Sequence, residues 1–282
     1  MSITPESSPG GVVIPDAIAR LQCLFRPRSV AVVGASDDET KYGNLVLRHL
    51  VEGGFPGPLY PVNHNATSVM GLKSYPSLRE IPEHVDLACI VVPAHRVEDV
   101  VKDAIVTGTS SLVVISAGFS ETGPEGRDLE SGLAAVCSQV GIPMVGPNCL
   151  GVCSFPHSLC ATIAPLRSAP GHVSFISQSG TYGVSSINYA LRMGVAFNAF
   201  ISSGNEAVTR FADYLEYLGQ DDDTRVIMGY IESLRDAKKF MRVAAEVTKK
   251  KPVVVMKFGR TNKGAKAAAS HTGAMAGSHL IY

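Results

Sequence analysis

The chain has 282 residues, 45% of them hydrophobic and 18% charged, with 27 Gly and 17 Pro. At roughly 100–200 residues per domain, that length makes about two domains, each able to bury a core. Lys and Arg together number 25, as do Asp and Glu. The balance excludes the basic surface on which polyanion binding rests, though not a local anion pocket. No run approaches the ~18–20 apolar residues of a membrane span. The start, Met1 to Glu6, lacks the basic stretch and apolar run of a secretory signal. A soluble, cytoplasmic protein is expected. Six cysteines are present without a CxxC, and Cys149 and Cys153 have no His at zinc spacing, so neither a zinc site nor a disulfide scaffold is expected.

Residues 1–15, rich in Ser, Pro and Gly, read as a disordered leader. Strand-length apolar runs then alternate with amphipathic stretches of helical period. Ser29–Gly34 reads as a strand, Asn44–Glu52 as a helix, and Leu59–Asn63 and Leu87–Val92 as strands. Val97–Thr107 follows as a helix, Ser111–Ser116 as a strand, Gly126–Val140 as a helix and Pro143–Gly146 as a short closing strand. Continuous Val, Ile and Ala runs are strands buried on both faces, as in a parallel sheet covered by helices. The alternation predicts a doubly wound α/β domain over 16–152.

After an irregular stretch, Cys153 to Gly171, a second series begins. Val173–Ser177, Ala196–Ser202, Val226–Ile231 and Pro252–Phe258 read as strands. Gly180–Met193, Thr209–Tyr217 and Asp236–Lys249 read as the helices between them. This predicts a second α/β domain, 153–282. A further helix and strand would close such a sheet, so it is expected to be cut short at its C-terminus.

Several loops at strand ends carry chemistry. Gly34-Ala35-Ser36 leads to Lys41, and a glycine turn at the mouth of a helix offers amide donors and the positive dipole end to a phosphate. Lys41 would add a point charge. The same turn is also the ordinary βα connection of any Rossmann-like fold. It is not a GxGxxG, and the second strand ends in Val62-Asn63-His64 without the acid that holds an NAD ribose. Pro93, the loop from Ser116 to Gly123, and Gly146-Pro147-Asn148-Cys149 stand at further strand ends, on the edge where such sheets bind ligands. Ser177-Gln178-Ser179-Gly180 makes either a phosphate cradle or a plain helix cap. It lacks the first glycine of a GxSxG, which excludes a hydrolase of that type. His271 stands among small residues in Ser270-His271-Thr272-Gly273. It is a candidate nucleophile if a carboxylate orients its other nitrogen, and Glu232 is the candidate for that acid.

Together, Leu24 to Ser36, Ser116 to Gly126, Gly146 to Gly151, Ser177 to Gly180, Gly204-Asn205-Glu206 and Ser270 to Gly273 resemble, in order, the NDP-forming acyl-CoA synthetases. These are relatives of the succinyl-CoA synthetase α subunit. The resemblance implies a Rossmann-like CoA-binding domain followed by a flavodoxin-like CoA-ligase domain, both with mainly parallel sheets. It implies the reaction carboxylate + CoA + ATP ⇌ acyl-CoA + ADP + phosphate, through an acyl phosphate and a phosphohistidine. His271 matches the phosphorylated histidine and Glu232 the acid that steadies it. Ser179, Gly180 and Gly273 match the phosphoryl-binding positions. Gly34, Ser36, Lys41, Asn63, Pro93 and Asn148 match the CoA-binding ones. No ATP-grasp domain lies in these residues, so ATP and Mg would enter through a partner or a further segment, in a hetero- or homo-oligomer. Two other classes compete: a non-catalytic CoA-binding regulatory module, disfavoured by the full histidine loop, and an NAD(P)-dependent oxidoreductase, disfavoured by the missing fingerprint and acid. The acid substrate has no sequence code here.

Overall fold

The computed structural model describes residues 17–259, so the leader 1–15 and the loop carrying His271 and Gly273 lie outside the described residues. The first half runs α1 (Ala17–Phe25), β1 (Val30–Val33), α2 (Tyr42–Glu52), β2 (Leu59–Val62), a small ribbon of β3 (Ser68–Val69) and β4 (Leu72–Lys73), β5 (Leu87–Ile90), α3 (Ala94–Val106), β6 (Ser111–Val114), α4 (Pro124–Val140) and β7 (Met144–Val145). Five of these strands form a parallel sheet in the order β2-β1-β5-β6-β7. The strands β1, β5 and β6 are buried throughout, as their unbroken apolar runs require. Strand order reverses between β1 and β5, and an open α/β sheet leaves a crevice at such a point.

The second half runs β8 (Gly151–Ser154), β9 (Leu159–Thr162), β10 (Pro170–Ser177), α5 (Gly180–Arg192), β11 (Phe197–Ser202), α6 (Phe211–Gln220), β12 (Val226–Ile231), α7 (Ala237–Val247) and β13 (Val253–Lys257). Its sheet has the order β13-β12-β10-β11-β8-β9. The four strands from β10 to β13 are parallel, whereas β8 pairs antiparallel with β11 and β9 antiparallel with β8. Here the order reverses between β10 and β12, which sets a second crevice at Ser177 and Ile231. Among the described residues no helix is long and apolar enough to cross a membrane.

Five elements, α1, β3, β4, β8 and β9, have no counterpart in the sequence reading. The stretch 153–171 is not irregular: it holds most of the β8–β9 hairpin, whose short strands alternate Cys, Ala and hydroxyl residues and show no long apolar run. β8 begins at Gly151, before the expected boundary at 152/153, and hydrogen-bonds in the second sheet. α1 had no sequence counterpart. It buries Leu21, Leu24 and Phe25, with Phe25 stacked on Tyr217 of α6 at 4.8 Å. That contact, with Val113, Cys149, Val152 and Ile201, makes one core shared by both halves.

Asp86, buried before β5, anchors the entry to β1. It accepts from the Arg28 backbone N–H at 2.8 Å and from the Arg28 guanidinium at 3.0 Å. Burial pushes its carboxyl up, but the Arg28 hydrogen bonds and charge outweigh it and hold the group below its ordinary value. A depressed acid adds stability above the unfolded value of about 3.9 and loses it as pH falls through the folded one. Denaturant midpoints measured down the acid limb are therefore expected to fall less steeply in Asp86→Asn than in the parent, with the variant the less stable at neutral pH.

Candidate functional site

The first crevice is a cleft of about 540 Å³ lined by Gly34, Lys41, Asn63, Pro93 and Arg96 among others. Gly34 turns at φ +95°, and a Cβ there would lie 3.0 Å from the Val91 carbonyl oxygen. A Cβ on Gly43 would collide with the Gly34 carbonyl, so α2 begins against the β1 turn only because both residues are glycine. No side chain caps α2. Lys41, the residue before α2, lines the cleft with Arg96, and Asp99 and Asp103 line it as well.

Asn63 does other work. Its Nδ2 donates to the Ala35 carbonyl at 2.7 Å, and its Oδ1 accepts from the backbone of Asn65 and Ala66. It ties the β1 and β2 loops together and leaves no acid at the β2 end. Ser36 sits in the turn behind the cleft, where its Oγ accepts from Asp38 N at 3.1 Å and its carbonyl from Asn44 Nδ2 at 2.9 Å.

Asn148, expected with these residues, lines a different pocket. The segment after β7 leaves the first sheet, so Asn148 N donates to Ser116 O at 2.9 Å while its Nδ2 reaches Asn205 Oδ1 at 3.2 Å. This second pocket, about 150 Å³, gathers Asn148, Leu150, Gln178, Ser179, Gly180 and Asn205. Ser179 is the N-cap of α5 and accepts from Tyr182 N at a long 3.4 Å. A Cβ on Gly180 would collide with the Leu150 side chain, which brings the connecting loop onto the helix terminus. Cys149 lies here too, but burial pushes its thiol up to about 12, which removes it as a nucleophile.

Glu232 follows β12 at the second crevice and is buried, 3% exposed. Its position is set by Gln178, which the sequence reading did not single out as a site residue. Gln178 Oε1 accepts from the backbone of Glu232 at 2.7 Å and of Ser233 at 2.9 Å, and its Nε2 donates to Ser233 O at 2.8 Å. One side chain thus joins the mouth of α5 to the loop bearing the acid. The Lys257 ammonium donates to the Glu232 carbonyl at 3.0 Å, and burial lowers its pKa despite the charge of Glu232. Tyr230 is pushed up to about 12 by burial, then by Glu232 and Tyr182. Glu206, buried at φ +54°, accepts from Ser203 Oγ at 2.7 Å, and burial raises its carboxyl above the ordinary value.

A polar residue between a strand and a helix cap, as Gln178 is, was the available sign of this clamp; its partners 54 and 55 residues away were not readable. Gln178→Ala leaves the buried Glu232 N–H unpaired, a loss of about 1–3 kcal/mol. Denaturant unfolding is expected to show that loss, whereas an unchanged midpoint would remove the clamp.

Known proteins bear on this geometry. A family model described as a CoA binding domain matches residues 28–154, and one described as a succinyl-CoA ligase like flavodoxin domain matches 170–282. The chain is 45% identical over 262 residues to acetate–CoA ligase [ADP-forming] I of Archaeoglobus fulgidus, covering 93% of this chain and 38% of that protein. It is 42% identical to the acetate–CoA ligase [ADP-forming] I subunit alpha of Pyrococcus furiosus, covering 93% and 58%. The solved dinucleotide-forming acetyl-coenzyme A synthetase 1 of Ca. Korarchaeum cryptofilum, in complex with phosphate and ADP, superposes with a TM-score of 0.88 at 41% identity, over 93% of this chain and 56% of that one. The chain therefore spans between about two fifths and three fifths of these relatives' length. With both domain models matched in order and the two crevices in place, the chain belongs to the NDP-forming acyl-CoA synthetase family, of which it carries the CoA-binding domain and the succinyl-CoA ligase-like flavodoxin domain.

Proposed function

We propose that this chain is the CoA-binding and phosphohistidine-bearing part of an acid–CoA ligase that forms ADP: carboxylate + CoA + ATP ⇌ acyl-CoA + ADP + phosphate. The cleft at the β1/β5 reversal carries the reading. Its size, its glycine-enforced contact between backbone and helix terminus, and its Lys41 and Arg96 suit a phosphate-rich ligand with a long neutral arm. The missing acid at the β2 end, with Asn63 spent on the loop, disfavours a nicotinamide dinucleotide.

CoA, when bound, supplies a thiol that accepts the acyl group. The chain's own residues do the rest. Gly34 and Gly43 hold the α2 terminus where backbone amides meet a phosphate, and Lys41 neutralises it. Pro93 walls the cleft and Ser36 braces the turn. Ser179 and Gly180 aim the α5 terminus, and the positive dipole end stabilises charge on a transferring phosphoryl group, with Asn148 beside it; a phosphoryl-binding role for Gly273 rests on the family resemblance alone. Neutral His271 takes the phosphoryl group from the acyl phosphate on one ring nitrogen, releasing the carboxylate, and Glu232 accepts a hydrogen bond from the other. An ATP-grasp subunit or domain would then pass that phosphoryl group to ADP, with Mg, in a hetero- or homo-oligomer. The substrate is a small carboxylic acid, and the reading places the work in the cytoplasm, where CoA and ATP are available.

The test is ligand-dependent unfolding of the purified chain. CoA at about 100 times its dissociation constant is expected to stabilise it by about 2.7 kcal/mol, with NAD and NADP silent. Stabilisation by NAD and not by CoA would overturn the reading. Gly43→Ala is expected to weaken CoA at least tenfold (about 1.4 kcal/mol), and Lys41→Ala, exposed and off the core, to weaken it while leaving unliganded stability unchanged. With an ATP-grasp partner and labelled ATP, His271→Ala is expected to lose phosphoryl labelling yet keep CoA binding.

A further inference from the structure

Cys153 and Cys160 face each other across the β8–β9 hairpin. Ile163 N donates to Leu150 O at 3.0 Å, which makes Leu150 and Ile163 a hydrogen-bonded pair. Pairs alternate along an antiparallel ladder, so Cys153 and Cys160, an odd number of steps further on, form a non-hydrogen-bonded pair. Such pairs bring Cα atoms to about 4.5 Å, inside the roughly 4.4–6.8 Å over which a disulfide closes. The two sulfurs stand 3.7 Å apart, both free thiols and both buried. Rotation about the Cα–Cβ bonds suffices to join them; the backbone need not move.

The two thiols are not equivalent. Arg167 Nη1 lies 3.2 Å from the Cys160 sulfur, and the Arg167 side chain is 44% exposed, so the guanidinium links this sulfur to solvent. A hydrogen bond from Cys153 and the Arg167 charge hold the Cys160 thiol below its ordinary value against burial, whereas burial holds Cys153 above it. In the thiol form Cys160 also donates to Leu166 O at 3.3 Å. The other buried cysteines, Cys89, Cys137 and Cys149, have only raised values and no sulfur partner of this kind. Neither Cys153 nor Cys160 lines either crevice pocket.

We propose that Cys153 and Cys160 are a redox site that reduces a small hydroperoxide and closes to a cross-strand disulfide. The Cys160 thiolate attacks one peroxide oxygen and the O–O bond breaks. The leaving hydroxide takes a proton and departs as water, and Cys160 becomes a sulfenic acid. The Cys153 sulfur then attacks the Cys160 sulfur. The S–S bond forms, the S–O bond breaks and a second water leaves with the Cys153 proton. In sum two thiols and one hydrogen peroxide give one disulfide and two waters, and two equivalents of an external thiol return both cysteines to thiols by exchange, leaving as their own disulfide.

The experiment treats the reduced chain with stoichiometric hydrogen peroxide, blocks residual thiols and maps peptides by mass spectrometry without reduction. A peptide pair joining Cys153 to Cys160, lost on adding dithiothreitol, is expected. Cys160→Ser is expected to lose the crosslink, and Cys153→Ser to accumulate a dimedone-reactive sulfenic acid at Cys160. Recovery of both cysteines as free thiols while the half-exposed Cys23 is oxidised would overturn the proposal, as would dimedone capture at Cys153 in the Cys160→Ser chain. The unsubstituted chain decides the matter by itself if either variant fails to fold, and CoA-dependent unfolding, run in parallel, reports separately on the ligase reading.

Discussion

The segment from Pro143 to Leu150 is where the two sheets become one molecule. On one side it belongs to the first sheet: Leu112 N donates to Pro143 O, Asn148 N to Ser116 O, and the Cys149 thiol to Val114 O. On the other it carries the loop after β11: Asn205 N donates to Pro147 O at 2.9 Å, Ala207 N to Gly146 O at 3.1 Å, and Leu150 N to Ser202 Oγ at 3.0 Å. A buried backbone must find partners for its polar groups, and here each half supplies those of the other. Gly204 makes the approach possible, since a Cβ there would collide with the Pro147 carbonyl. The second pocket follows from this crossing, because Asn148 and Leu150 arrive beside the α5 terminus as part of the same segment.

A second tie between the halves is electrostatic. Glu130 of α4 is buried at 4% exposed and pairs with Arg235, from the loop after β12, at 2.8 Å. Its other oxygen accepts from Asn205 Nδ2 at 2.8 Å and from Ser120 N at 3.3 Å. Asn205 also donates to Glu121, whose carboxyl burial pushes up but the Asn205 and backbone hydrogen bonds hold down. A buried charge stripped of its partner costs about 3–5 kcal/mol, so this cluster restrains the loop that bears Glu232 against the first domain. Arg235 and Glu232 stand three residues apart on that loop, and Gln178 grips it from the other end.

The two crevices share one cause. In each sheet the parallel strands run one way from the central strand and then the other, so the loops after adjacent strands part company and leave space. In the first sheet the space is filled from one side by a glycine-tight helix terminus, which suits a phosphate. In the second it is narrower, with a capped helix terminus and a buried acid. The β8–β9 hairpin, which extends the second sheet past β11, lines neither crevice pocket, and the ligase reading does not use its paired sulfurs.

Much of this was legible in the residues. The unbroken runs at Val30–Val33 and Leu87–Ile90 predict buried parallel strands, and their alternation with amphipathic stretches dictates the doubly wound plan; the equally apolar run of β13 marks a strand but not its burial, since Val254, Val255 and Met256 are exposed among the described residues. Gly34, Asn63 and Pro93 follow strand ends in sequence and Lys41 opens the helix after β1, so their gathering on one edge follows from that plan alone. Asn148 did not follow it, because which sheet a connecting loop faces depends on partners such as Asn205, 57 residues away. The β8–β9 hairpin was invisible for a related reason. The hairpin's burial comes from docking on β11 and not from a periodic pattern of its own, whereas α1 does space Leu21, Leu24 and Phe25 on one helical face, a signal carried by a short segment beside the leader. Local pattern determined the elements and the edge where chemistry gathers. Long-range hydrogen bonds and packing alone decided that Gln178 holds the loop of Glu232 and that Cys153 meets Cys160, since those distances are set across the fold and not along the chain.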